Sequence, residues 1–451
     1  MSKLEVNPRL FQYLFVVALL SAIIGLLGDS LIGRIGLIIF SVILLVTVVY
    51  RPRYGLYFLS FAMPIESMDV ISLNISYFKI LGIAIFLGWL LKMRTSRSKR
   101  IFVSSEMFFA FALVILGFLS YFWANFYKLV AIQRSVTLLL FVGFFCLIGQ
   151  IITSKKDLEY LIASNLFGSF ILLLVGSYAA LSFIFGIDVG EKIFGFNLAL
   201  FGVHMALPAF FLWMKVLAAP NLKHKLSRSI LLGFVLFITS ILSPISFSII
   251  TIILFIGALK AILKKHYKRG AIYSALIVLI FSISLLLSPT NLGDVNESLD
   301  FDATADKWNA LSPNFKDSPV FGIGLGNSNY FHHGSNDDTN KIILSSASIF
   351  QDVRTEPHIY IEFLIELGIF GLLIFIYFLL GMIKKGIVLI THLPPAGSSW
   401  LIGATIFSYF LFIISIDLFQ PIIHRKMLWF ALALMMVSGR IFMQELNENK
   451  N

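Results

Sequence analysis

The sequence predicts an all-α integral membrane protein: a polytopic bundle of about 12–14 transmembrane helices with one long extracytoplasmic loop. Three observations carry this reading. Of the 451 residues, 58% are hydrophobic and only 13% are charged, half the charged share of about 25% found in an ordinary soluble domain. Apolar runs long enough to cross a bilayer recur along almost the whole chain. Basic residues gather in the short segments between those runs, as they do in the cytoplasmic loops of multi-spanning proteins. A soluble protein would have to hide about a dozen near-continuous apolar runs in one core.

The runs lie near 10–28, 35–50, 77–92, 107–123, 133–151, 159–185, 199–218, 271–288, 358–382, 398–416 and 425–442. A shorter run at 54–64, bounded by Pro52 and Pro64, is read as a further span. The stretch 229–263 is too long for one helix, and Ser243-Pro244 near its middle should break it into a tight helical hairpin, because Pro removes a donor and excludes helical geometry from the residue before it. The run after Arg9 has the core of a signal peptide, but no small-residue cleavage site follows it and many more spans do, so it reads as a first transmembrane helix.

A net charge of +11 could suggest a nucleic-acid partner, but its placement argues for orientation in a lipid bilayer instead, with no nucleic acid bound. The clusters are Arg51 and Arg53; Lys92 to Arg100; Lys155 and Lys156; Lys223 to Arg228; Lys264 to Arg269; and Lys384 and Lys385. Alternating the spans from a cytoplasmic N-terminus puts every one of them on the cytoplasmic side. The same walk puts 289–357 outside. This segment is the one long polar stretch and is acidic on balance, and long loops of this kind are usually functional. The chain thus divides into N-terminal transmembrane helices (1–288), a long extracytoplasmic loop with short helices (289–357) and C-terminal transmembrane helices (358–451). In the loop, "DKWNALSPNF" (306–315) reads as a short amphipathic helix and "DSPVFGIGLGNSNYF" (317–331) as a turn-rich segment. Cys146 stands alone, and His332-His333 lacks acidic or cysteine partners at a ligating spacing, so neither a disulfide framework nor a metal site is predicted.

The stretch "RTEPHIYIEFLIELG" (354–368) carries the candidate chemistry. On one α-helix His358, Glu362 and Glu366 fall within roughly 80° of each other. Thr355 suits an N-cap and Pro357 a first turn, which places His358 where the helix enters the membrane from outside. Glu362 would then sit about 6 Å deeper and Glu366 about 12 Å deeper. A charge near the bilayer centre costs roughly 2.5–3.5 kcal/mol, so Glu366 should face protein or a wet cavity rather than lipid. The helix dipole favours neutral imidazole at His358, whereas a carboxylate one turn below favours the protonated ring. A histidine balanced in this way suits a general base. The same residues would equally serve as an interfacial anchor with structurally paired glutamates, and on their own they leave both readings open.

Gly322, Gly324 and Gly326 form GxGxG rather than GxGxxG and sit in an external loop, so they read as a tight backbone turn and not as a dinucleotide site. Arg134, Lys192, Lys307, Arg354 and the pair His424-Arg425 are outward-side groups whose cations could converge on a phosphate-bearing substrate.

The combination of "DSPVFGIGLGN" with "HIYIEFLIELGIFG" resembles the O-antigen ligase and Wzy polymerase superfamily. Its P-x-F-G-x-G-x-G-N pattern matches Pro319, Phe321, Gly322, Gly324, Gly326 and Asn327, and its loop histidine with E-x-G-x-x-G matches His358, Glu366, Gly368 and Gly371. "EKIFGF" (191–196) is similar to a basic element of the family, with Lys192 where arginine is usual. The resemblance covers mainly 190–440. It implies a GT-C-like fold and a metal-independent, inverting glycosyltransferase without cofactors. Such an enzyme moves undecaprenyl-diphosphate-linked glycan units to an acceptor hydroxyl on the outer side of the bacterial inner membrane. The acceptor would be another glycan or lipid A-core, and other polysaccharide-assembly proteins would be partners.

In that scheme His358 is the base. Arg134, Lys192, Lys307 and Arg354 bind the diphosphate, while Glu362, Glu366 and the three loop glycines orient and support the site. Two departures stand out: Thr304 replaces an arginine four residues before Trp308, and "SPIS" (243–246) replaces a Ser-Arg-Gly turn. They lean the reading toward polymerase over ligase. The competing expectation from hydropathy is a polysaccharide flippase or other secondary transporter, which the absence of evident duplicated halves disfavours.

Overall fold

The computed structural model describes residues 41–42, 44–66, 77–95, 101–124, 128–184, 198–219, 221–263, 318–327, 359–394, 397–416 and 426–448. Among them there is no strand; residues 41–42 and 44–50 are helical, and eleven further α-helices follow: α1 (Pro52–Glu66), α2 (Tyr77–Thr95), α3 (Ser105–Leu119, continued by a 3-10 turn, Ser120–Phe122), α4 (Lys128–Ile151), α5 (Lys155–Ile184), α6 (Leu198–Leu217), α7 (Leu222–Leu242), α8 (Pro244–Leu263), α9 (Ile359–His392), α10 (Ser398–Ile416) and α11 (Lys426–Glu448). Eight helical segments are long and apolar enough to cross a membrane, and α8 adds a shorter apolar helix. The chain is an all-α, multi-pass membrane protein. The expected runs at 10–28 and 271–288, and all of 289–357 except 318–327, lie outside the described residues.

Proline sets two of the helix starts. Pro52 opens α1, where its missing N–H costs nothing, whereas Pro64 falls within the last turn and does not end the helix. The expected break in 229–263 is present: α7 stops at Leu242 and α8 starts at Pro244, with Ser243 at φ −149°, ψ 75° between them. The Ser243 carbonyl accepts the amide of Phe247, and its hydroxyl donates to Ser246 Oγ at 2.9 Å. This turn packs on Gly202 of α6, where a Cβ would collide with both serines.

Small residues set the other close crossings, as expected where lipid gives helices no hydrophobic reason to associate. Gly168 of α5 lies against the Phe61 carbonyl of α1, and Gly149 of α4 against Met436 of α11. The α1–α5 pair is further tied by Asn165 Nδ2 donating to the Ser60 carbonyl at 2.9 Å and Ser60 Oγ donating to the Leu161 carbonyl at 2.9 Å. At the centre stands α11, buried without interruption from Met427 to Gly439 and apolar on every side, as a core helix must be.

The bundle has two unlike ends. Residues 152–154, 218–219, 221, 393–394 and 397 gather at one end together with Lys155, Lys156, Lys223, Lys225, Arg228, Lys384 and Lys385. The described part of the long loop, 318–327, packs at the other end against the end of α3 and the start of α4.

Candidate functional site

Helix α9 is not straight. Gly368 adopts φ 69°, ψ −173°, which only glycine takes without strain, and it splits the element into an arm, Ile359–Leu367, and a long second part from Ile369. Phe363 stacks on Phe375 with ring centroids 4.6 Å apart, and Tyr360 lies 6.1 Å from the same ring. On a straight helix residues 363 and 375 would be about 18 Å apart along the axis. The arm therefore turns back beside the second part. Tyr360 Oη reaches the Ile414 carbonyl of α10 at 3.2 Å.

This changes the expected course of 354–368. The positive φ at Gly368 stops the run 358–382 from being one continuous helix, and because the break follows Glu366 it redirects the arm as a whole relative to the second part and leaves the spacing along the arm unaltered. Glu366 is fully buried, away from lipid.

Four of the backbone groups that a break at this place frees meet the glycine loop. A continuous helix would bond the amides of Ile369 and Phe370 to the carbonyls of Ile365 and Glu366. Here the glycine loop replaces both partners. The amides of Ile323 and Gly324 donate to the carbonyls of Ile365 and Glu366, each at 3.0 Å. The amides of Ile369 and Phe370 donate to the carbonyls of Pro319 and Val320 at 2.9 and 3.3 Å. These four groups are satisfied, which is the condition for irregular backbone in an apolar bundle, where each unsatisfied group costs several kcal/mol.

The loop spacing follows from this fit. Gly322, Gly324 and Gly326 have φ of 73°, 100° and 81°. A Cβ at Gly322 would lie 2.5 Å from the Glu366 backbone, one at Gly324 2.7 Å from Ala124 Cβ, and one at Gly326 2.5 Å from Arg134 Cγ. Alternate positions must therefore be glycine because three different walls approach the loop. Between them, Ile323 is fully buried with Ile365, and Leu325 reaches Gly117.

Two side chains from the end of α3 hold the loop. Trp123 Nε1–H donates to the Phe321 carbonyl at 2.9 Å, and its ring packs 5.2 Å from that of Phe321, which in turn meets Phe370. Ser120 Oγ accepts the Leu325 amide at 3.0 Å while donating to the Gly117 carbonyl at 2.7 Å. Arg134, in the second turn of α4, is buried beneath Gly326. Asn327 is fully buried beside it, with its Nδ2 donating to the Gly324 carbonyl at 3.3 Å.

The structure thus brings Arg134, Glu366, Gly322, Gly324 and Gly326 into one assembly. His358, Lys192, Lys307 and Arg354 lie outside the described residues, as does the side chain of Glu362. Trp123 and Ser120 were not singled out by the sequence. A tryptophan ending an apolar run reads as an interfacial aromatic, and nothing local ties it to a loop about 200 residues on. Among the described residues no group of three or more His, Cys, Asp and Glu side chains is arranged to hold a metal ion.

The glycine loop, the arm and the break at Gly368 all lie within one stretch of the chain that matches a family model. Residues 201–376 match the model of the O-antigen ligase family. This bears out the resemblance carried by Pro319–Asn327 and by the α9 motif. The match covers less than half of the chain. It begins in α6, ends within the second part of α9, and leaves Ser120, Trp123 and Arg134 outside. No curated protein matches the chain.

Proposed function

We propose that the protein is a membrane glycosyltransferase. It takes glycan units from undecaprenyl diphosphate and places them on an acceptor hydroxyl at the outer side of the bacterial inner membrane, as a polysaccharide polymerase or O-antigen ligase. One observation carries this reading: inside the segment that matches the O-antigen ligase family, the glycine loop is built into a broken membrane helix, with a buried arginine beneath it. Broken helices stabilised by other backbone recur where membrane proteins bind polar substrates at depth.

In this mechanism His358 takes the proton from the acceptor hydroxyl. The oxygen attacks the anomeric carbon from the face opposite the diphosphate, the bond to the diphosphate oxygen breaks, and configuration inverts. Arg134, Lys192, Lys307 and Arg354 are the cations that hold the diphosphate and stabilise the charge it gains on departure, in surroundings where such charge is poorly hydrated. Glu362 orients the imidazole, and Glu366 with the three glycines supports the arm. The basic end of the bundle is cytoplasmic and the loop end faces outward.

Incubation of the purified protein with a lipid-linked repeat unit tests the proposal. A ladder of products identifies a polymerase, and transfer only after a second acceptor is added identifies a ligase. His358→Ala at equal protein level should lose transfer by about a hundredfold or more, the range for removing a general base. Wild-type turnover in that variant would sink the role of this histidine.

A further inference from the structure

The family match begins at residue 201, yet the loop inside it is held from outside it. We propose that Trp123 and Ser120, at the end of α3, are positioning residues. They seat the glycine loop in the helix break and through it fix the arm Ile359–Leu367, which begins at the residue following His358. The effect on rate rests on the glycosyl-transfer reading, whereas the mechanical linkage does not.

The linkage is a relay of short, directed contacts. Trp123 grips the loop at Phe321 by both its N–H and its ring. Ser120 grips it again four residues later, at the Leu325 amide, and is itself oriented by the Gly117 carbonyl. Between these two grips lie Ile323 and Gly324, whose amides bond the Ile365 and Glu366 carbonyls of the arm. On the other side of the first grip lie Pro319 and Val320, whose carbonyls cap the second part of α9. The loop therefore touches the arm between two points fixed to α3, and the second part of α9 just before the first of those points. The far end of the arm is held separately, by Tyr360 on the Ile414 carbonyl and by Phe363 on Phe375. Releasing the α3 grips frees one end of the arm and leaves the other, which tilts it rather than unfolding it. A tilt of this kind misplaces a catalytic group without abolishing substrate binding.

Trp123→Phe keeps the ring and removes the N–H, and Ser120→Ala removes the acceptor of the Leu325 amide. Amide hydrogen exchange on the purified full chain should rise about fivefold or more in peptides covering 319–324 and 365–370 in either variant, and further in the double variant. Transfer of a lipid-linked repeat unit should show kcat lowered about tenfold with KM unchanged. Ser120→Thr, which keeps the hydroxyl, should restore both. Ser398→Ala, which removes one hydroxyl partner of Lys155 at the opposite end, should move neither. Unchanged exchange in all three α3 variants overturns the anchoring, and faster exchange with wild-type kcat overturns the positioning role. If the wild-type chain transfers no glycan while its variants exchange faster, the anchoring stands and the glycosyl-transfer reading falls.

Discussion

The two ends of the bundle are held together by different means. At the basic end the ties run between side chains or from a side chain to a helix terminus. Lys155 Nζ donates to Ser398 Oγ and Ser399 Oγ at 2.8 and 2.7 Å, and Ser399 donates in turn to Glu445 at 2.7 Å. Lys385 pairs with the buried Glu106 at 2.7 Å. Arg440 of α11 donates to the Gly149 carbonyl at 2.7 Å and to the Ile152 carbonyl, closing the C-terminus of α4, and stacks 4.3 Å over the Phe102 ring. Asp157 accepts from Tyr57, from Ser154 and, at 3.5 Å, from Arg53. At the loop end the decisive ties are backbone to backbone, and the only side chains that reach in to hold the loop by donating to or accepting from its backbone, among the contacts described above, are Trp123 and Ser120. Charged side chains can re-pair or snorkel when one is lost. A backbone ladder interrupted by glycine has no such reserve, so the loop end should be brittle where the basic end is tolerant.

Gly368→Ala tests the brittle end and should have the largest effect. A Cβ there meets the Val320 carbonyl and must accept φ 69°, a combined cost on the order of 3 kcal/mol. Thermal unfolding in detergent should show the loss, and transfer activity should disappear with it. A variant as stable and active as wild type would mean that α9 can straighten without penalty.

Arg440→Ala should rank second. It strips two charge-assisted hydrogen bonds from the end of α4, each worth about 1.5 kcal/mol at this part-buried site, yet kcat per folded molecule should be retained because the loop end is untouched. A fall in kcat matching that of Trp123→Phe would show the two ends to be coupled. Arg53→Ala should be smallest. The contact is long, the arginine side chain is 46% exposed, and Asp157 keeps its two hydroxyl partners, so unfolding should shift by less than about 0.5 kcal/mol.

Much of the fold was legible because its determinants are local. Apolar runs mark the helices, Pro52 starts one, and Ser243-Pro244 splits another, since a proline restricts its own φ and its neighbour's conformation wherever it stands. Basic clusters mark one end of the bundle. Pro64 misled as a boundary because the Ser60 carbonyl, which a proline at 64 leaves without its helical donor, is taken by Asn165 Nδ2 of α5. The break at Gly368 was hidden for the opposite reason. "IELGIFGLL" reads as continuous apolar helix, and a glycine inside a helix pattern costs only about 1 kcal/mol, too little to signal a break. What makes the break stable is a segment some 45 residues earlier in the chain supplying four hydrogen bonds, and no window along the sequence contains both. The GxGxG spacing was visible as a tight turn, but which walls it had to clear was not. Arg134 could be named as an outward-side cation from its place in its span, whereas its position beneath Gly326 is a tertiary fact.

The break has one more consequence, and it concerns length. As a straight rod the 34 residues of α9 would measure about 51 Å, far more than the roughly 30 Å of hydrocarbon in a bilayer. Cut at Gly368, the second part is about 36 Å long, a match that a modest tilt completes. The surplus becomes the arm, an apolar helix relieved of the need to span. Hydrophobic mismatch thus presses α9 to stay bent, and a thinner or thicker membrane should change how firmly the arm is held before any substrate arrives.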